Sequence, residues 1–265
     1  MTGFNPHSGL LGMYRGSFQQ NSQDEYFGTP YEAYETFFSA IFMATPTGGN
    51  FADFIVGAHS SGEIRIYETS TLTQRNNSNQ PAIQPVLRFR AHKGPVYALE
   101  KLDVGNDTLL ISGGDDGHLL VWSWKHLLSL CSSSANANGN GVAAGVQPSK
   151  RSSGVGPLVC TVQPKLEFDL TPAGADMSLH GNPEVNCIAV EATRKGTVYA
   201  GTGDGCWHTI DLSHHSQRSP QETGVKGHSL GILSIDHSSK CNRLVTGSEV
   251  GAVRFIGAEA LMRLL

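Results

Sequence analysis

Short apolar runs separated by glycine-rich turns are the dominant pattern along the chain. The clearest example lies between Ala91 and Lys125, where three runs follow one another, Val96–Leu99, Leu109–Ser112 and Leu119–Trp122. The turn between the last two runs reads Gly-Gly-Asp-Asp-Gly. Apolar runs of this length, bounded by Gly and Asp, predict β-strands joined by tight hairpins. The pattern therefore predicts an all-β protein.

The same turn-and-strand pattern recurs four times in one register. Each copy has a glycine followed by an apolar run, and the four glycines are Gly62, Gly117, Gly205 and Gly251. They stand 55, 88 and 46 residues apart. A glycine at a fixed turn position is typical of a hairpin that needs a positive φ. Repeats of about 40 to 50 residues indicate a propeller-like repeat architecture, and an insertion accounts for most of the long middle interval.

The clearest copy resembles one WD40 repeat. The resemblance implies a β-propeller, and about four blades are recognisable, which we number blade one to blade four in the order of their turn glycines. In that family a hydrogen-bonded tetrad pins a blade, and the matching positions here are His92, Ser112, Asp116 and Trp122. An imidazole held by the carboxylate reaches the hydroxyl and the indole N–H, so each buried polar group has a partner.

The third and fourth copies depart from this pattern. In blade three, His180 falls at the opening histidine position, but Ala200 replaces the hydroxyl residue and Ile210 replaces the tryptophan. Blade four opens with Gly227-His228 and carries Thr246, but Val250 and Ile256 replace the aspartate and the tryptophan. The tetrad is incomplete in both copies, so we expect these two blades to rely on packing alone.

Two segments lie outside the blade pattern. Residues 1–29 are rich in Gly, Ser, Asn and Gln, which predicts a disordered N-terminal arm. Residues 30–265 carry the blades, with a low-complexity insertion at 129–157 whose apolar surface is too small to offset its ordering entropy. After the last apolar run the chain reads GAEALMRLL, so we expect a propeller that is shortened at its C-terminus.

Composition and charge exclude several classes of function. A net charge of −4 and a pI near 6.2 argue against direct nucleic-acid binding, which normally needs a basic face. No window of 18 apolar residues is present, so we expect no membrane span. The five cysteines are scattered singly, without a C-x-x-C pair, and the first residues lack a secretory signal. This usage is typical of a protein from a reducing compartment.

No residue pattern predicts catalysis or a metal site. The loop Gly201–Gly205 resembles a phosphate-binding loop but lacks its lysine and the following helix. His208 and the pair His214–His215 have no third ligand at a suitable spacing. We therefore expect a non-enzyme without catalytic residues, metal or cofactor, acting as a platform for other proteins.

Longer segments are similar to the THO complex subunit 6 family, in its plant-type form. The similarity extends from about Phe37 to Arg254, and its most specific features are the W-x-W of Trp122 and Trp124 and the sequence NPEVN that opens blade three. The resemblance implies a nuclear, non-catalytic scaffold of THO/TREX, which acts in mRNA processing and export by contacting other THO subunits. The family's propeller has seven blades, so the resemblance also implies that about three are missing here.

A second hypothesis is a substrate receptor of a cullin–RING ubiquitin ligase. WD40 receptors of that class end a blade in W-D-x-R, which docks on the ligase adaptor. Blade two ends in WSWK, where Ser123 replaces the aspartate and Lys125 replaces the arginine. Trp124 and Lys125 are therefore candidate partner contacts, and the alternative for Trp124 is packing between blades. The two hypotheses are compatible with each other and differ in their dependence on Lys125.

Overall fold

Four β-sheets follow one another along the chain, one for each predicted blade. The computed structural model describes residues 36–45, 53–73, 83–136, 159–172, 183–191, 196–212 and 224–257, all of which belong to one structural unit. Within these ranges the chain forms sixteen strands and two helices. The predicted all-β class with four blades is confirmed.

Blades one and two are built from the first nine strands. Blade one contains β1 (Phe37–Met43), β2 (Phe54–His59), β3 (Glu63–Glu68) and β4 (Leu87–Arg90), and β8 (Val159–Cys160) pairs in parallel with β4. Blade two contains β5 (Val96–Val104), β6 (Asp107–Gly114), β7 (His118–Ser123) and β9 (Leu166–Asp169). The strands of blade two, and β1 to β4 of blade one, are antiparallel to their neighbours.

Blades three and four are built from the remaining strands. Blade three contains β10 (Val185–Val190), β11 (Thr197–Thr202), β12 (Cys206–Asp211) and β13 (Gly224–Lys226). Blade four contains β14 (Ile232–Ser238), β15 (Arg243–Ser248) and β16 (Val253–Ile256). In the described part of the chain, blade four is the one sheet with three strands.

The same hairpin turn joins the second and third strands of every blade. The four predicted turn glycines have φ values of 83° (Gly62), 77° (Gly117), 80° (Gly205) and 73° (Gly251). A Cβ on Gly62 would lie 2.4 Å from the carbonyl oxygen of His92, and one on Gly205 would lie 2.4 Å from the carbonyl oxygen of His228. The turns at Gly62 and Gly205 therefore need glycine for space as well as for backbone conformation.

The first strand of every blade also carries the same irregularity. A register shift follows one residue near the start of each first strand, namely Phe37, Val96, Val185 and Ile232. A bulge at the same place in four sheets bends each first strand in the same way. These four residues are therefore structurally equivalent.

Three apolar clusters join the blades in chain order. The first joins blades one and two through residues that include Val56, Ile64, Ile66, Leu110 and Trp122. The second joins blades two and three through residues that include Ile111, Val121, Val185, Val198 and Ile210. The third joins blades three and four through Tyr199, Trp207, Ile232 and Leu244, among others. Each blade interface is thus an apolar contact between two sheet faces, and the first strands β1, β5, β10 and β14 lie against one another in that order.

A helix, Trp124–Asn136, directly follows β7. Trp124, Leu127 and Cys131 are buried in the apolar cluster shared by blades one and two, at the spacing expected for one face of a helix. The helix extends into the segment 129–157, where the sequence predicts a low-complexity insertion, and 137–158 lie outside the described residues. The predicted arm at 1–29 also lies outside them.

Candidate functional site

The four predicted tetrad residues lie within hydrogen-bonding distance of one another. Trp122 Nε1 donates to Ser112 Oγ at 3.1 Å, and Ser112 Oγ lies 2.9 Å from His92 Nε2. His92 Nδ1 lies 2.8 Å from Asp116 Oδ1. The carboxylate only accepts, so Nδ1 carries the proton and Ser112 donates to Nε2. The result is one directed chain of hydrogen bonds from the indole to the carboxylate.

The carboxylate of Asp116 ends this chain and also holds the hairpin turn. The backbone N–H groups of Lys93 and His118 donate to it at 2.9 and 3.3 Å. Burial raises the pKa of Asp116, but these hydrogen bonds and the interaction with His92 outweigh it and bring the pKa to about 2. Asp116 is therefore ionised throughout the physiological range.

His92 connects blade one to blade two. Its backbone N–H donates to the carbonyl oxygen of Gly62, in the turn of blade one, at 3.1 Å. Its side chain is buried and bonded to Ser112 and Asp116 of blade two. One residue thus links two neighbouring blades through hydrogen bonds, in addition to the apolar cluster that joins them.

Blade four repeats part of this arrangement. The backbone N–H of His228 donates to the carbonyl oxygen of Gly205 in blade three at 2.9 Å, and its Nε2 lies 2.8 Å from Thr246 Oγ1. Among the described residues, His228 Nδ1 has no hydrogen-bond partner, because Val250 stands where blade two has its aspartate. Burial, followed by the charge of Arg254, lowers the pKa of His228. The expectation that blade four relies on packing alone is therefore wrong.

Blade three uses a different set of polar residues. Thr202 Oγ1 donates to Asp204 Oδ1 at 2.6 Å and lies 3.5 Å from His208 Nε2. The backbone N–H of Cys206 also donates to Asp204, at 3.0 Å. The expectation of packing alone is wrong here too, because the hydroxyl missing at Ala200 is supplied two residues later by Thr202. His180 lies outside the described residues.

The sequence did not single out Thr202, and it offered His208 only as a metal ligand, because neither residue stands at a tetrad position. The available signal is that they lie in the two largely buried strands that flank the turn acid, Asp204. Thr246 could be read from the sequence, because its 18-residue spacing from His228 is close to the 20 residues that separate Ser112 from His92.

The two candidate partner contacts differ in exposure. Trp124 is buried, its Nε1 donates to the carbonyl oxygen of Ala44 at 2.8 Å, and its ring meets Phe54 edge-on at 5.6 Å. The proposal of Trp124 as a partner contact is therefore wrong, and the alternative of packing between blades describes it. Lys125 is exposed on the first turn of the following helix.

Two thiols in the described part of the chain are shifted towards the protonated form. Burial raises the pKa of the Cys187 thiol to about 12 and that of Cys206 to about 11, so both are protonated near neutral pH. Within the described ranges, no group of three His, Cys, Asp or Glu residues is arranged to hold a metal ion. In those same ranges no helix has the length and apolarity that crossing a membrane requires.

Comparisons with known proteins find one matching repeat family and several similar proteins. The family described as WD domain, G-beta repeat, matches residues 83–123, the region that carries the tetrad. The chain is 25% identical over 209 residues to THO complex subunit 6 of Arabidopsis thaliana, covering 76% of this chain and 50% of that protein. It is 26% identical over 206 residues to THO complex subunit 6 of Homo sapiens, covering 76% and 46%.

A third similarity is to a protein transport protein. The chain is 23% identical over 219 residues to protein transport protein SEC31 of Meyerozyma guilliermondii, covering 82% of this chain and 16% of that protein. The chain spans about half the length of the THO subunit relatives that it matches.

The four sheets are consistent with the blades of a WD40 propeller, the class of protein to which the repeat match and the tetrad geometry point. Within that class, the chain is similar to THO complex subunit 6 from plants and animals.

Proposed function

We propose that the chain is a non-catalytic WD40 scaffold subunit of a THO/TREX-type complex in the nucleus. It acts in mRNA processing and export through protein–protein contacts, without cofactors. The observation that carries this proposal is the similarity to THO complex subunit 6 over 76% of the chain, in both a plant and an animal relative. Its partners on this view are the other THO/TREX subunits.

The physical character of the described residues supports a platform role. The polar chain of blade two is buried and the blades are joined by apolar clusters, so exposed side chains are held on a rigid support. The two thiols with raised pKa, Cys187 and Cys206, are poor nucleophiles near neutral pH. The net charge of −4 favours protein partners over direct contact with nucleic acid.

Affinity purification of the tagged chain from nuclear extract, followed by mass spectrometry, tests the proposal. We expect other THO subunits to be recovered with the wild-type chain. A matched sample of the His92→Ala variant, which loses the side-chain hydrogen bonds to Ser112 and Asp116, should recover less of them. A folded chain, judged by a cooperative thermal transition, that recovers no THO subunit would rule the proposal out.

The ligase-receptor hypothesis now depends on Lys125 alone among its candidate contacts, because Trp124 is buried. The Lys125→Glu variant in the same purification separates the two functions. The scaffold proposal predicts that THO subunits are recovered equally with wild type and variant. Recovery of a cullin and its adaptor with the wild type, and their loss with the variant, would favour the receptor function instead.

A further inference from the structure

A cavity of about 220 Å³ lies at the junction of blades one and two. Its lining residues come from the end of β4, the segment that leads into β5, the turn before β7, and the strands β7 and β9. Cavities that hold small molecules or cofactors usually measure about 300 to 1,000 Å³. The size of this cavity therefore suits one or two side chains of another protein better than a cofactor.

Two cationic side chains at this cavity, Arg90 and Lys93, have no ion-pair partner among the described residues, and both are exposed. Arg90 Nη1 donates one hydrogen bond to the carbonyl oxygen of Ser61 at 3.1 Å. The carboxylate of Glu63, which pairs with Arg90 across the two strands, is bound instead by Arg65 Nε at 3.0 Å. Most of the guanidinium and the whole ammonium group are therefore available to a ligand.

The acidic side chains at the cavity already have partners. Asp116 Oδ1 lies 2.8 Å from His92 Nδ1, and the backbone N–H of Lys93 donates to Asp116 Oδ2 at 2.9 Å. Glu167 Oε1 lies 3.5 Å from His118 Nε2. Both carboxylates thus face imidazoles of the same cavity. The uncompensated charges at the cavity are those of the guanidinium and the ammonium group.

The equivalent positions in other blades show that the fold does not require these cations. Arg90 pairs with the residue that follows the turn glycine of blade one, and the residues with the same pairing are Asp169 in blade two and Lys226 in blade three. An anion and a cation thus occupy the same structural position. The residue equivalent to Lys93 at the start of blade four is Ser229. Because neither charge is needed to form a blade, a role in binding explains the pair better than a role in folding.

We propose that this cavity docks an acidic segment of a partner protein, with a carboxylate of the segment bound by Arg90 and Lys93. A guanidinium binds a carboxylate through two parallel N–H···O bonds, and the ammonium group adds a second positive charge. Ala91 and Leu120 line the same cavity and offer apolar contact to the methylene groups of the acidic side chain. The docking site does not depend on which complex contains the chain, so it and the scaffold function can fail separately.

Selection from a library of short random peptides tests the proposal with the purified full-length chain. The wild-type chain selects the peptides, and those that also bind the double variant Arg90→Gln/Lys93→Gln are removed. We expect the remaining peptides to be enriched in Asp and Glu. An enriched peptide, labelled and followed by fluorescence anisotropy, should bind the double variant at least about tenfold more weakly than the wild type, as the loss of a paired charge at an interface does.

A matched control removes one lysine and one arginine at the same spacing, but away from the cavity. Lys240→Gln/Arg243→Gln changes two exposed residues of the first hairpin of blade four. This control has the same net charge as Arg90→Gln/Lys93→Gln and should bind the enriched peptide as the wild type does. The same peptide with Gln and Asn in place of its Glu and Asp residues should lose its binding to the wild type.

Four results would overturn the proposal. The first is a selection without enrichment in acidic residues, and the second is equal binding by the wild type and Arg90→Gln/Lys93→Gln. The third is an equal loss in the control variant, because the net charge of the chain then drives binding. The fourth is a single-stranded RNA oligonucleotide that binds more tightly than the enriched peptide and loses its binding in the same variant, because the cations then hold phosphate groups. Circular dichroism checks that each variant is folded, and Lys93→Gln, at an exposed loop position, replaces the double variant if the latter does not fold.

Discussion

Blade two and blade four have the same strand order and the same turn, yet they are stabilised to very different extents. In blade two, a buried indole, hydroxyl and imidazole and a partly buried carboxylate are all paired, and both sheet faces are covered. In blade four, the imidazole of His228 has one partner, and one sheet face exposes Val253 and Phe255. A satisfied polar network and a neighbour on each side are therefore expected to stabilise blade two more than blade four.

The largest expected effect comes from removing the indole of blade two. Trp122→Ala deletes a buried ring that packs edge-on against Phe89 at 5.0 Å and donates to Ser112. We expect a loss of about 3 to 5 kcal/mol in the free energy of unfolding. Ile256→Ala, at the matching and only half-buried position of blade four, should cost less than about 2 kcal/mol. Urea denaturation measures both, and equal losses would contradict the comparison.

A smaller effect is expected when the carboxylate of blade two loses its charge. Asp116→Asn keeps the size of the side chain but weakens the bonds from His92 and Lys93. Hydrogen bonds to a charged group contribute about 1.5 to 3 kcal/mol, and we expect a loss in that range. The matched control, Val250→Asn in the turn of blade four, should change stability by less than about 0.5 kcal/mol, as surface substitutions usually do.

Lowering the pH should remove the contribution of the Asp116 charge to the stability of the wild-type chain. The pKa of Asp116 is about 2 in the folded chain and near its ordinary value of 3.8 in the unfolded chain. The ionised carboxylate therefore stabilises the fold above pH 3.8, and this stabilisation is lost as the pH falls towards 2. The difference in unfolding free energy between wild type and Asp116→Asn, measured by urea denaturation at each pH, should shrink across that interval. A difference independent of pH would show that Asp116 stabilises the turn without its charge.

The smallest expected effect is an increase in the free energy of unfolding. Val250→Asp places a carboxylate at the turn position of blade four, where His228 Nδ1 has no partner among the described residues. One added hydrogen bond contributes about 0.5 to 1.5 kcal/mol, and the new charge should raise the pKa of His228. Proton NMR of the imidazole follows that pKa, and Val250→Asn is the uncharged control. If the pKa of His228 stays unchanged in Val250→Asp, the turn of blade four cannot bring the carboxylate to the imidazole.

Some features of the fold follow from residues that are close in sequence. The strands around the four turn glycines could be predicted because a hairpin of this kind needs a positive φ and an alternating apolar run on each side. The first part of the helix Trp124–Asn136 could have been predicted, because Trp124, Leu127 and Cys131 share one helical face. Its serine-rich second half favoured a loop when composition alone was considered.

The recognisable blades, their turns and the four positions of the blade-two tetrad could be read from the sequence alone, because each depends on local spacing or on a repeat. Which polar side chains meet in blade three required the folded chain, because Thr202 and His208 are brought together by the register of two strands. The burial of Trp124 against blade one also depends on tertiary contacts. The equivalence of Phe37 with Val185 and Ile232 likewise depends on strand register, a property of paired chains that no single run of residues contains.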